Sequence, residues 1–523
     1  MRPPGVQLVR VPWSRYTMSE PMGMMRRRIV RGILVCMLLW SSLAIGGHHV
    51  VAQLRKRLTL DECLVYAREY SSQAMQARHQ FLLAHWRYRG YRAQYLPSVK
   101  FTGGLPDFNR RLVRYQLPDG SYSYVSENAN DLSLGLTLTQ RIGTTGANLY
   151  VRSNLNRVDV FGLRRRTDYM TVPVQVGLEH NFFALNTLKW DRRIEPKRYE
   201  EAKRTYMQTL EEISLEAINH FFDLLHAQQS LAIARLNRMN ADTLYRIAKG
   251  RYNIGTIAEN DLLQMELNHL NAAHAVNEGQ VQLKVASFKL QSFLGLNEEY
   301  EWEVEAPVAA PVDSLLYDSV MTVALARNPG ILAKEREGIE ARRGIAQARA
   351  DMGYSLSLAL SYGLTQQAQT LPAAYRNVQD QQGLRVAISV PILDWGQGRG
   401  RLRIAQSNYE IARMQGERYR QSFMQEVFLQ VMRYNLLNDQ LMLAAKADTI
   451  AQNRYYITKQ RFLTGKVDVL ELDKAQVDRD AARLSYIRAV QSYWQVYYTL
   501  RRTTLYDPGS RKELMVDFEA LLR

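Results

Sequence analysis

The chain of 523 residues contains two cysteines, Cys36 and Cys63. If a leader is cut before residue 53, Cys63 stands alone. A disulfide framework and a paired-thiolate redox or zinc centre are then excluded. Beyond residue 52 there is no run of 18 consecutive apolar residues, so a membrane-crossing helix is not expected and any crossing must be made by strands. The nine histidines contain no pair four residues apart: His79/His85 and His220/His226 are spaced by six, His269/His274 by five. Nothing resembles the HExxH zinc site or a Cys/His cluster. No catalytic residue, metal or cofactor is expected. Proline is missing between Pro196 and Pro307 and again between Pro391 and Pro508. Nothing therefore forbids very long helices there.

Charge is abundant but unsegregated. Seven of the 68 basic residues and one of the 51 acidic ones, Glu20, lie in residues 1–52, which leaves 61 against 50. The signs are mixed along the chain with no basic tail. That describes a solvated surface, and no nucleic-acid partner is expected.

The N-terminus reads as an export signal. Arg26, Arg27, Arg28 and Arg31 introduce an apolar run from Ile29 to Ile45, and Val50-Val51-Ala52 before Gln53 suits cleavage. A membrane anchor is the alternative. Met22, Met24 and Met25 are candidate starts, with 1–21 an upstream extension.

The chain matches itself. At an offset of 210, Tyr245/Tyr455, Ile247/Ile457, Lys249/Lys459, Arg251/Arg461 and Gly255/Gly465 are identical. The match runs back to Tyr199/Tyr409 and on to Ala272/Ala482. Further upstream the offset becomes 257, with Ala67/Ala324, Arg92/Arg349, Ala93/Ala350 and Ser98/Ser355 coinciding. Two copies of one unit follow, the first carrying 47 extra residues between about Thr102 and His180. The chain divides into an extension with signal peptide (1–52), a first repeat (53–296), a linker (297–313), a second repeat (314–506) and a C-terminal tail (507–523).

Each repeat opens on a helical stretch, to about Gln94 in the first and from about Asp313 to Met352 in the second. Alternating segments come next. Leu132, Leu134, Leu136 and Leu138 alternate with Ser133, Gly135, Thr137 and Thr139; Val172, Val174, Val176 and Leu178 alternate with Pro173, Gln175, Gly177 and Glu179. The second repeat has Leu356, Leu358, Leu360 and Tyr362, then Leu384, Val386, Ile388 and Val390. Such period-two patterning predicts strands with one apolar and one polar face. Nearby aromatics, among them Tyr354, Phe182, Trp190 and Trp395, favour a membrane barrel over a sandwich. Long helices rich in Ala, Leu, Gln, Glu, Arg and Lys follow, one of them over 399–463. Gly255 and Gly465 end them, and return helices span about Ile257–Leu294 and Val467–Leu505.

The segment VPILDWGQGRG, 390–400, invites a nucleotide reading, with Gly396, Gly398 and Gly400 between a strand and a helix. The repeat argues against it. At offset 210 these glycines lie over Asn186, Leu188 and Trp190, and the spacing is GxGxG with no following acid or Lys/Ser pair. The glycines read as a hinge where a strand swings into a helix, with Val390 and Ile392 completing that strand.

Helix, strand hairpin, very long helix, glycine turn and return helix, all duplicated, resemble the TolC-like outer-membrane efflux protein family over about residues 58–506. The most specific matches are ValProIleLeuAsp at 390–394 and the turn GlyLysValAspValLeuGluLeuAspLysAla at 465–475. The resemblance implies an α+β membrane protein built from two internal repeats. It implies a homotrimer whose chains each give four strands to a twelve-stranded β-barrel in the outer-membrane lipid, continuous with a long periplasmic α-helical barrel. It also implies the exit duct of a tripartite efflux or type I secretion system of a Gram-negative bacterium, working with a periplasmic adaptor (membrane fusion) protein and an inner-membrane transporter. Adaptor docking then falls on Asn253, Ile254, Gly255 and Thr256 with Leu463, Thr464, Gly465 and Lys466. The barrel-to-tunnel junction falls on Asn181, Pro391, Trp395, Gly396 and Gly398.

Two departures stand out. The insertion has alternating material of its own at 147–160 and around Tyr122 and Tyr124, which either lengthens a hairpin or adds strands. Family members often carry two acids one helical turn apart after the second glycine turn. Here the first falls on Glu471 and the second on Lys474, so the expected pore gate is Glu471, with Asp468 and Asp473 as compensating acids. Glu471 as an exposed partner of Lys474 is the plainer alternative. For the whole chain, the competing reading is a structural or adhesive coiled-coil protein of the cell surface or periplasm without transport.

Overall fold

The computed structural model describes residues 55–161, 165–296, 301–308 and 313–522. The proposed signal segment lies outside the described residues.

The helix starts of the two repeats correspond along the chain. In the first, α1 (Leu60–Tyr70) and α2 (Ser72–Ala93) precede the sheet, and α3 (Thr187–Asn253) and α4 (Glu259–Leu294) follow it. The second has α5 (Tyr317–Arg327) and α6 (Pro329–Met352), then α7 (Gln397–Asn435) with α8 (Leu437–Leu463), and α9 (Val469–Thr504). The starts of α1 and α5 are separated by 257 residues, and those of α4 and α9 by 210.

One expected helix at the start of each repeat is in fact two. Ser71 ends α1 and caps α2, accepting from the Ala74 N–H; Asn328 does the same for α6 through the Ile331 N–H, with Pro329 in the first turn. A residue in extended geometry whose side chain bonds the next helix's amides breaks a helix whatever the composition around it. The long helix of the second repeat is also interrupted, at Leu436, where the N–H bonds back to Arg433 in a tighter turn.

The sheet holds more strands than the resemblance implies. Six antiparallel strands lie in the order β2 (Ser98–Gln116), β3 (Tyr122–Arg141), β4 (Asn148–Val160), β5 (Arg166–Phe182), β7 (Ser355–Ala368) and β8 (Gln379–Ser389). The 47 inserted residues add a full down-and-up pair. The pairing of β5 with β7 joins the repeats. Near the helical end the register crosses all six strands: Val99, Leu138, Val151, Val176, Tyr362 and Gln382 form one row, and Lys100, Thr137, Arg152, Gln175, Gly363 and Gln381 the next, with irregularities beyond them at Gly104–Asp107, Arg152–Asn154 and Thr171–Gln175. Opposed residues share a face, so the sheet has one apolar and one polar side. β8 ends at Ser389, leaving Val390 and Ile392 exposed beyond the strand rather than completing it.

The 297–313 segment also does more than link. Its Glu301–Val304 forms β6 and pairs in parallel with β1 (Arg55–Leu58), so the start of the first repeat is stitched to the boundary between repeats. The main core lies alongside, where Leu58, Cys63, Ile218, Phe221, Leu290, Leu294, Ile487 and Tyr498 pack together. Burial pushes the Cys63 thiol up to about 12, so it is inert. The tail is anchored: a short hairpin, β9 (Tyr506–Asp507) with β10 (Lys512–Glu513), leads to α10 (Phe518–Leu521), whose Phe518 packs on Phe81 of α2.

Candidate functional site

The helices join two dissimilar ends. The 67 residues of α3 span about 100 Å at ~1.5 Å per residue. The sheet lies at one end and the glycine turns at the other.

At the sheet end the chain passes from β8 into α7 through Pro391, Trp395, Gly396 and Gly398. Gly396 is the N-cap, with φ +85°, and Trp395 before it has φ +53° and is 90% exposed. Two successive left-handed residues turn the chain sharply, and glycine at the second relieves half the steric cost. Asp394 organises this turn, although the sequence reading did not single it out. Its Oδ1 accepts from the Gly396 N–H at 2.9 Å and its Oδ2 from the Gly398 N–H at 2.7 Å. Those backbone bonds hold its carboxyl below the ordinary range. The signal was present, since an Asp ahead of a glycine-rich turn bonds the backbone two residues on. The amides that could have cradled a phosphate are taken by this carboxylate.

In the first repeat the same junction uses Asn186. Its Oδ1 caps the Lys189 N–H, and its Nδ2 donates to the carbonyls of Gly143 and Thr144 in the β3–β4 turn. Asn181 sits in β5 opposite Ser357 and is exposed.

The other end brings the two glycine turns together. In each, a left-handed glycine closes the helix: Gly255 N–H donates to Tyr252 and Thr256 N–H to Arg251; Gly465 N–H donates to Phe462 and Lys466 N–H to Arg461. These paired bonds satisfy the last carbonyls of α3 and α8. Arg251 then bridges the turns, its Nη2 donating to the Leu463 carbonyl at 2.9 Å with the guanidinium over the Phe462 ring. Ile254 is 75% exposed at the tip, and Asn253, Thr256, Thr464 and Lys466 are exposed beside it. Beneath lies a small core of Leu244, Ala248, Met265, Tyr455, Phe462, Leu472 and Ala475.

The three candidate gate acids occupy different settings. Asp468 is the N-cap of α9 and accepts from the Glu471 N–H at 2.8 Å. Glu471 is exposed, and its carboxylate lies 4.0 Å from Arg461 rather than engaged with Lys474. Asp473, two residues on, is on another face of α9 and lines a groove with Asn237, Asn268 and Gln476. Only Asp468 and Glu471 share a helix face. Higher up, a network missed in the sequence ties α9 to α3: Asn237 donates to Asp480 at 2.6 Å and accepts from Arg479 at 2.7 Å. Among the described residues no cluster of three or more His, Cys, Asp or Glu could hold a metal ion, and no helix is long and apolar enough to cross a membrane.

The family model described as outer membrane efflux protein matches residues 153–296 and 320–504, well over half of the chain. The protein belongs to the outer membrane efflux protein family. This channel is an exit duct of an efflux system, located in the outer membrane and reaching into the periplasm. Solved structures share its fold at low identity. The Campylobacter jejuni CmeC outer membrane channel is 15% identical with a TM-score of 0.63, covering 88% of each chain. Vibrio cholerae VceC is 13% identical with a TM-score of 0.60, covering 85% of this channel and 95% of that chain. The open state of the Neisseria gonorrhoeae MtrE channel is 14% identical with a TM-score of 0.57, covering 87% and 91%. No curated protein sequence matches.

Proposed function

We propose that the channel works as a homotrimer. Three sheets close one barrel in the outer membrane, and three sets of paired helices form a tube through the periplasm. The tube ends at the Gly255 and Gly465 turns, where a periplasmic adaptor docks and hands over cargo from an inner-membrane transporter. The duct does no chemistry: a polar wall lets solutes pass in water, and an apolar belt is needed only where lipid surrounds it. Its units are the two repeats, 53–296 and 314–506, with the 297–313 segment between them.

The observation that carries this reading is the polarity of the single chain. An amphipathic sheet sits at one end of helices about 100 Å long, and two glycine turns bridged by Arg251 sit at the other. A surface coiled coil without transport would have no use for a sheet with an apolar outer face. Asn253, Ile254, Gly255, Thr256, Leu463, Thr464, Gly465 and Lys466 form the docking tip, and Glu471 with Asp468 supplies a ring of acids inside it. Heat-modifiable gel mobility at trimer size in the outer-membrane fraction tests the assembly. A monomer in the periplasmic fraction would refute it.

A further inference from the structure

We propose that the barrel of this channel has eighteen strands, six from each copy, closed by pairing β8 of one copy with β2 of the next. The inference rests on the trimeric reading above.

Within the chain, β3, β4, β5 and β7 each have two neighbours, while β2 and β8 are the open edges. Every residue of β8 is exposed. An edge of unpaired N–H and C=O groups cannot face hydrocarbon, so both edges must be covered when the sheet is in a bilayer. Six strands cannot close on themselves, because even eight leave only enough interior for side chains.

A second copy of the chain fits the edges. β2 leaves the helical end and β8 returns to it, so an edge-to-edge pair is antiparallel like every other pair in the sheet. The faces also continue. Leu384, Val386 and Ile388 of β8 are exposed on the apolar side, as are Val99 and Phe101 of β2; Arg385 and Ala387 fall on the polar side, with Lys100 and Thr102. A head-to-tail contact of this kind repeats by rotation until a ring closes.

The added strands belong to the barrel wall and are not a flap above it. Thirteen residues of β4, Asn148–Val160, pair with β3, and rows of apolar and of polar residues run through the inserted strands in register with the rest. The Gly143–Thr144 turn joining β3 to β4 is fastened by Asn186 at the cap of α3, at the level where the other strands meet the helices. Barrel diameter grows about linearly with strand number, so the mouth is roughly half again as wide as a twelve-stranded one.

Single-particle electron microscopy of the full-length channel in lipid nanodiscs reads the strand number directly. Eighteen strands around a threefold particle are expected. Oxidation of Ala387→Cys combined in turn with Ser98→Cys, Lys100→Cys or Thr102→Cys is expected to give disulfide-linked trimers in at least one pairing. A threefold tube with twelve strands, and β2 and β3 outside the wall, would overturn the inference while leaving the exit-duct assembly intact. A particle without a threefold helical tube would overturn both.

Discussion

Arg501 of α9 grips Glu211 of α3 with two parallel hydrogen bonds, Nε to Oε2 at 2.9 Å and Nη2 to Oε1 at 3.2 Å. Arg68 of α1 donates to the same carboxylate at 2.9 Å. Glu211 is nearly buried, so one acid from the first repeat holds an arginine from each repeat beside the main core. Removing one partner of such a buried set strands the others without compensation. Glu211→Ala is expected to cost about 3–5 kcal/mol, read as a lowered melting temperature of the purified channel. An unchanged melt would show that the set contributes nothing.

The glycine turns demand left-handed backbone, and an added Cβ at Gly255 or Gly465 meets open space. Gly255→Val and Gly465→Val therefore strain the backbone by about 1–2 kcal/mol each without a clash inside the chain. Resistance to exported compounds and co-purification of the adaptor should fall sharply, with the trimer retained. Intact resistance and assembly in both variants would remove the docking assignment.

Three copies of Glu471 would ring the narrow end and attract cations. Glu471→Gln should weaken block by calcium or magnesium in planar-bilayer recordings. Block of wild-type strength would reassign the residue to its Arg461 contact alone.

The Asn237–Asp480–Arg479 network ties the return helix α9 to α3 near the tip. If opening swings α9 outward, these bonds must break. Asp480→Ala should raise single-channel conductance or open probability several-fold. Loss of conductance would point instead to collapse of the tip.

Asp394 titrates below its ordinary value because its carboxylate accepts two backbone N–H bonds. A depressed folded pKa stabilises above the unfolded value of about 3.9 and fades as pH falls through the folded one. Asp394→Asn should melt below wild type at pH 7, and the gap should narrow as pH falls below the unfolded value of about 3.9. A gap independent of pH would mean that charge plays no part in the cap.

Much of this architecture is local and was therefore readable. The repeat offsets of 210 and 257 reappear as identical spacings between helix starts. Alternation in 355–362 and 384–388 gave strands, since a half-buried strand repeats every two residues. The left-handed Gly255 and Gly465 were legible because only glycine takes that backbone freely. The strand β2 was not. A register shift between Gly104 and Asp107 reverses its alternation midway, so no single period runs along it. The break at Ser71 was hidden by helix-favouring sequence on both sides, whereas the one at Asn328 was marked by Pro329 and Gly330 directly after it.

The sequence by itself determined the duplicated order of helices, strands and turns, because periodicity and capping act over a few residues. Tertiary structure alone decided that six strands share one sheet and that β5 meets β7 across the repeats. It also decided that Arg251 reaches Leu463 and that Glu211 lies between Arg68 and Arg501. The β5–β7 pairing and the contacts of Arg251 and Glu211 each join residues more than 140 positions apart. No local pattern marks them; they exist only once the helices have packed.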